Sequence, residues 1–96
     1  MDSKKIIKVM KALSNKNRYE IFMEIFENNK QTSFEKEECF IYSVIEKLNI
    51  GAPTVSHHLK ELSNADLIIT ERRGKNIVAR INEETIKELS ALFNLE

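Results

Sequence analysis

The chain has a single cysteine, a single proline, two glycines and no tryptophan among its 96 residues. One thiol excludes an internal disulfide and fits a reducing compartment, so the expected location is the cytoplasm. No apolar run approaches the roughly eighteen residues of a membrane-spanning helix. The opening Met1-Asp2-Ser3-Lys4-Lys5-Ile6-Ile7-Lys8 is too charged and too briefly apolar for a secretory signal. Scarce Gly and Pro leave few helix-breaking points. There is no Gly-rich phosphate loop, and no Ser/His/Asp set stands on a plausible scaffold, so an enzyme is not expected. Adjacent Ser56 and His57 would diverge on a helix and cannot act as nucleophile and base.

Excess charge of one sign is also missing: 15 Lys and Arg balance 15 Asp and Glu. The distribution is less even. Lys4, Lys5, Lys8, Lys11, Lys16 and Arg18 face only Asp2 in the first 18 positions, residues 19–50 are acidic, and Arg72, Arg73 and Lys75 cluster later. A neutral chain can therefore still present a basic face.

What the chain does have is periodic hydrophobicity. Ile6, Val9, Met10 and Leu13 predict a first helix over 3–13, after which Ser14 or Asn15 can cap a second. Tyr19, Ile21, Phe22, Ile25 and Phe26 give that second helix an end near Asn28-Asn29, followed by a loop from Asn28 to Ser33. Thr32 and Glu35 form a capping-box pattern, and a third helix is centred on 38–48. Asn49-Ile50-Gly51 reads as a tight turn, and Pro53 suits the first turn of a helix over 52–64 whose buried stripe is Val55, Leu59 and Leu62. Two β-rich runs, 67–70 and 76–81, flank Glu71-Arg72-Arg73-Gly74-Lys75, which predicts a hairpin with a charged tip. Asn82 looks like the N-cap of a last helix carrying Ile86, Leu89, Leu92 and Phe93. The expected fold is mostly α with one β-hairpin, in the order αααα-ββ-α, forming a single domain over 1–96.

Two helices joined by a short Gly-containing turn and followed at once by a hairpin describe a winged helix-turn-helix. Its natural partner is double-stranded DNA. Thr54, Ser56 and His57 are candidates to hydrogen-bond base edges or phosphates, and Lys60 to contact phosphate. Arg72, Arg73 and Lys75 would meet the flanking backbone or minor groove. The last helix holds more apolar side chains than a short end element can bury on so small a core. Pairing Ile86, Leu89, Leu92 and Phe93 with Ile6, Met10 and Leu13 across a two-fold axis would cover them and present two recognition helices to a symmetric operator.

The run Thr54-Val55-Ser56-His57-His58-Leu59-Lys60-Glu61-Leu62 resembles the T-V-S-x-H-L-x-x-L core of the ArsR/SmtB repressors. Ala65-Asp66-Leu67-Ile68 resembles that family's A-G-L-V with Asp66 in place of Gly, and Glu71-Arg72-Arg73-Gly74-Lys75 resembles its wing. Met10 to Arg18 is similar to its L-A-D-P-x-R opening. The resemblance implies a dimer built from the first and last helices, acting as a repressor relieved by an inducer, which the sequence does not name.

The departures bear on metals. The C-V-C positions of metal-sensing members fall on Phe40 and Tyr42, Cys39 sits one residue too early, and the last helix has no His. No metal site and no cofactor are expected. Adjacent His57 and His58 point about 100° apart on a helix and do not easily share an ion. His58 reads as a partly buried, hydrogen-bonded residue and His57 as facing DNA. Cys39 reads as a small buried hydrophobe ahead of a redox sensor, since no local feature marks it as a reactive thiol. An alternative keeps the fold but assigns it to protein interaction: net charge is zero, and Ala52-Pro53 offer few donors at the groove-facing start.

Overall fold

Local capping fixes the N-terminal half. The computed structural model describes residues 1–31 and 39–95. Helix α1, Ser3–Leu13, starts where the Asp2 carboxylate accepts from the Lys5 backbone N–H at 2.8 Å, and ends where the Ser14 hydroxyl donates to the Lys11 carbonyl. Asn15 then caps α2, Lys16–Gln31: its side-chain oxygen accepts from the Arg18 N–H at 3.0 Å and its carbonyl from the Tyr19 N–H. The helix passes the Asn28-Asn29 end expected from sequence and continues to Gln31. Asparagine is only a modestly poor helix former, and no Gly or Pro interrupts residues 16–31. The Thr32–Glu35 capping box lies outside the described residues.

The region 38–48, expected to be helical, instead opens with a short strand. β1, Cys39–Phe40, pairs antiparallel with a later strand through Cys39↔Ala79 and Phe40↔Val78, and α3 occupies only Ile41–Leu48. Hydrophobic periodicity does not separate a two-residue strand from a first helical turn when both are apolar. In the turn after α3 it is Asn49, at φ 53°, that takes the left-handed conformation. Gly51 is extended at φ −61° and serves as the N-cap of α4, Ala52–Asn64, with no side chain to cap it. The bounds of α4 match those read from sequence.

α4 ends in a Schellman motif: the Leu67 N–H donates to the Leu62 carbonyl and the Asp66 N–H to that of Ser63. Asp66 sits at the left-handed position, φ 60°, where glycine is most at ease. Its ion pair with Lys5 is 4.0 Å long and exposed, so it offsets little. Asp66→Gly is therefore expected to stabilise the fold by about 1 kcal/mol, seen as a higher midpoint in urea with unchanged m-value. An unchanged or lower midpoint would show that the Lys5 pair outweighs the backbone term.

β2, Ile68–Arg73, and β3, Asn76–Ile81, form the hairpin, and the sheet order is β1-β3-β2. The strands run further than the sequence suggested, so Glu71, Arg72 and Arg73 belong to β2 and the tip is only Gly74-Lys75. Gly74 lies at φ 62°, the positive-φ first position of a II′ turn, whose twist matches that of the strands it joins. α5, Glu83–Leu92, follows Asn82, which occupies the cap position without a side-chain hydrogen bond; Glu83 and Glu84 supply negative charge to the first turn instead.

The core is made by Val9 and Ala12 of α1, Ile21, Phe22 and Ile25 of α2, Ile41 and Val44 of α3, and Val55, Leu59 and Leu62 of α4, closed by Leu67, Ile68, Ala79 and Ile81. The described residues thus form five helices and a three-stranded sheet, a winged helix-turn-helix with one strand more than the sequence suggested.

Candidate nucleic-acid interface

Packing decides which face of α4 is free. Val55, His58, Leu59 and Leu62 are buried, while Ala52, Pro53, Thr54, Ser56, His57, Lys60 and Asn64 are exposed. At about 100° per residue, Pro53, Ser56, His57, Lys60 and Asn64 share the side opposite the core, and Thr54 lies on one flank. That outward row carries one cation, three hydrogen-bonding polar side chains and no carboxylate. Glu61, the acidic residue of α4, is half-buried.

The hairpin stands beside this row. Between them runs an open cleft of about 250 Å³ lined by Ser56, Lys60, Ser63, Asn64 and Thr70, with Leu59 and Ile77 at its base. Ser63, Asn64 and Thr70 were not singled out from sequence. Ser63 and Asn64 continue the spacing of Ser56 and Lys60 by i+7 and i+4, so helical periodicity carried that signal. Thr70 required the strand register.

The register also separates the wing arginines. Arg72 pairs with Ile77 and Thr70 with Ala79, which places Arg72 on the ribbon face that carries Thr70 and Ile77; Arg73 and Glu71 occupy the other face. Arg72, Arg73 and Lys75 are all exposed. The Arg73 Nη2 lies 3.4 Å from Glu71 Oε2, so a carboxylate attenuates one of the wing cations. Glu71→Gln removes that attenuation. Affinity for duplex DNA is expected to rise about three- to fivefold at low salt and less at high salt, measured by anisotropy titration. Weaker binding in the variant would mean that Glu71 orders Arg73 for contact.

The candidate dimer residues divide into two groups. Leu13, Ile86 and Leu89 are half-buried against the chain's own core, and Ile6 is also half-buried. Met10 is 46% exposed, Leu92 45% and Phe93 63%, with Ile7 and Leu95 exposed near them in sequence. The apolar surplus is thus smaller than the sequence suggested, and it lies at the end of α5 and on the outer side of α1.

Cys39 and Phe40 lie in β1. Among the described residues no group of three or more His, Cys, Asp or Glu is arranged to hold a metal ion, and no helix is long and apolar enough to cross a membrane.

Comparison with known proteins agrees with this geometry. The model of the arsR family of bacterial regulatory proteins matches residues 32–70, the stretch that contains the helix-turn-helix and the start of the wing. The chain is 32% identical over 81 residues to YuzN of Bacillus subtilis, an uncharacterized HTH-type transcriptional regulator, covering 84% of this chain and 86% of that one. This chain belongs to the ArsR family. It is also 28% identical over 93 residues to KmtR of Mycobacterium tuberculosis, an HTH-type transcriptional regulator, of whose length it spans 65%. In three dimensions it resembles the homodimeric winged helix-turn-helix DNA-binding domain of Mb0332 from Mycobacterium bovis, a possible ArsR-family transcriptional regulator. The TM-score is 0.70 at 24% identity, over 93% of this chain and 74% of that one. ArsR-family membership makes the chain a DNA-binding transcriptional regulator.

Two sequence expectations concern the histidines. His57 is exposed and His58 is 5% exposed, with ring centroids 5.6 Å apart and planes inclined at 51°. His58 is hydrogen-bonded as expected: the Arg18 Nε–H donates to its Nδ1 at 3.2 Å. The identity of the donor was not legible from sequence, because Arg18 is forty positions away.

Proposed function

We propose that this ArsR-family regulator is a sequence-specific repressor that binds double-stranded DNA as a homodimer over a two-fold symmetric operator. The observation that carries this reading is the carboxylate-free outward row of α4 beside a ribbon bearing Arg72, Arg73 and Lys75. Thr54, Ser56 and His57 would read bases in the major groove, while Lys60 and the wing cations hold phosphates. The polar cleft adds Ser63, Asn64 and Thr70 as groups close to the backbone that passes between helix and wing. Ile6, Met10, Leu13, Ile86, Leu89, Leu92 and Phe93 would form the isologous contact, setting two copies of α4 about 34 Å apart. The whole chain acts as one domain, in the cytoplasm, with neither metal nor cofactor, and it is not an enzyme.

The test is an anisotropy titration on the DNA upstream of its own gene across a salt series. Specific binding should be at least a thousandfold tighter than to scrambled duplex, with log affinity falling by about 0.9 per phosphate contact per log unit of salt. Absence of preference together with a flat salt response would refute the reading.

A second reading, a winged helix that binds protein, draws on the zero net charge and on exposed Ala52 and Pro53 at the start of α4. It differs by predicting that loss of the wing arginines leaves function intact.

A further inference from the structure

Arg18 joins three helices. It stands in the first turn of α2, half-buried. Besides its Nε–H bond to His58 in α4, its Nη1–H donates at 3.3 Å to the carbonyl of Ala12, near the end of α1. A guanidinium is planar and its donors are fixed relative to one another, so two acceptors on different elements are held in one geometry. Both acceptor residues are 5% exposed. His58 lies two turns before the end of α4 and one residue from His57 on the outward face. We infer that Arg18 is a positioning residue for DNA binding, clamping α4 to α1 and α2 through His58 so that the outward row is presented at one fixed tilt. This rests on the DNA-binding function proposed above, but it assigns Arg18 no contact with DNA.

The clamp has a protonation requirement. Nδ1 of His58 accepts from Arg18, so the imidazole must be neutral, with its proton on Nε2. Protonating Nδ1 removes the acceptor and sets two cations against each other. Burial foremost, then Arg18, then His57 hold the His58 pKa below the ordinary 6.5, while Glu61 acts in the opposite direction. Among the described residues, the charged or titratable groups that act on it are Arg18 from α2 and His57 and Glu61 from its own helix. The folded pKa is lower than the unfolded one, so the unfolded chain binds more protons between the two values. The stabilisation is complete above about pH 6.5 and is lost as pH falls through the folded value.

The experiment measures operator and scrambled-duplex affinities from pH 7.5 to 5.5, with a thermal melt at each pH, for the wild type, Arg18→Met and His58→Asn. Asparagine keeps an acceptor oxygen near Nδ1 and does not titrate. The wild type should lose severalfold more operator affinity on acidification than His58→Asn, and its melting temperature should drop further. His57 is present in both proteins, so whatever it contributes cancels in the comparison. Arg18→Met should lower the operator-to-scrambled ratio about tenfold with an unchanged salt slope, whereas loss of a phosphate contact would reduce the slope by about 0.9 per half-site. If Arg18→Met does not fold, the pH comparison with His58→Asn decides. Superimposable pH profiles of the wild type and His58→Asn, or an Arg18→Met protein that folds and keeps its ratio within twofold, would overturn the clamp. Should the wild type show no operator preference at pH 7.5, the proposed DNA function fails instead; the clamp then stands or falls on whether the wild-type melting temperature declines more steeply with acid than that of His58→Asn.

Discussion

Replacing Arg72 and Arg73 together by Ala is expected to weaken operator binding about thirtyfold per half-site at moderate salt and to reduce the salt slope by about 1.8 per half-site, about 3.6 for the dimer. The reasoning starts from two phosphate contacts, each contributing about 1 kcal/mol, and tenfold in affinity corresponds to about 1.4 kcal/mol. The two positions are not equivalent. Arg72 shares its ribbon face with Thr70, which lines the cleft against α4, whereas Arg73 has Glu71 Oε2 at 3.4 Å on the opposite face. Arg72→Ala alone should therefore account for most of the loss, and Arg73→Ala for a few-fold. Folding should be untouched, because both side chains are exposed and β2 is anchored by buried Ile68 at its other end. Affinity measured at three salt concentrations for each single variant and for the double variant resolves the two contributions. An unchanged slope in the double variant would reduce the wing to a solvated hairpin and favour the protein-interaction reading.

The recognition element was legible because several local rules agree there. Pro53 at the helix start, the Val55–Leu59–Leu62 stripe and the punctuation at 49–51 all specify a helix over 52–64, and α4 has those bounds. Legibility failed where two structures share one pattern. Cys39-Phe40 is as apolar as the helix it precedes, and its strand character comes from pairing with Ala79 and Val78, about forty residues later. The wing was placed correctly but its strands were cut short, since Glu71-Arg72-Arg73 reads as polar loop while the ladder to 76–78 keeps it extended. At the site itself, burial and face followed from periodicity, but partners did not. Nothing local marks Arg18 as the donor to His58, because only the packing of α2 on α4 brings them together. Asp66 shows the converse: a residue unfavourable at its backbone angle is tolerated because hydrogen bonds on both sides of it fix the turn.

The end of α5 is where a single change should have the greatest effect on assembly. Leu92 and Phe93 are 45% and 63% exposed, Leu95 is fully exposed, and Ile7 and Met10 add apolar area on α1. Burying such side chains contributes about 1.5–3 kcal/mol each, and in an isologous contact every residue counts twice. Phe93→Asp would set two carboxylates in that contact, each costing several kcal/mol to desolvate. It costs the monomer little, because Phe93 is mostly solvent-exposed there. Sedimentation should accordingly show a dimer for the wild type and a folded monomer for the variant. The consequence for DNA is large: two half-sites held on one particle gain a factor of about 10²–10⁴ over one, so operator affinity should fall at least a hundredfold, while single half-site binding stays weak and salt-dependent as before. Ile86 and Leu89 are the wrong positions for this experiment, since both pack on the chain's own core and their loss would confuse unfolding with dissociation. A Phe93→Asp protein that remained dimeric and kept its operator affinity would move the two-fold contact away from α5 and leave Leu92, Phe93 and Leu95 as surface for another partner.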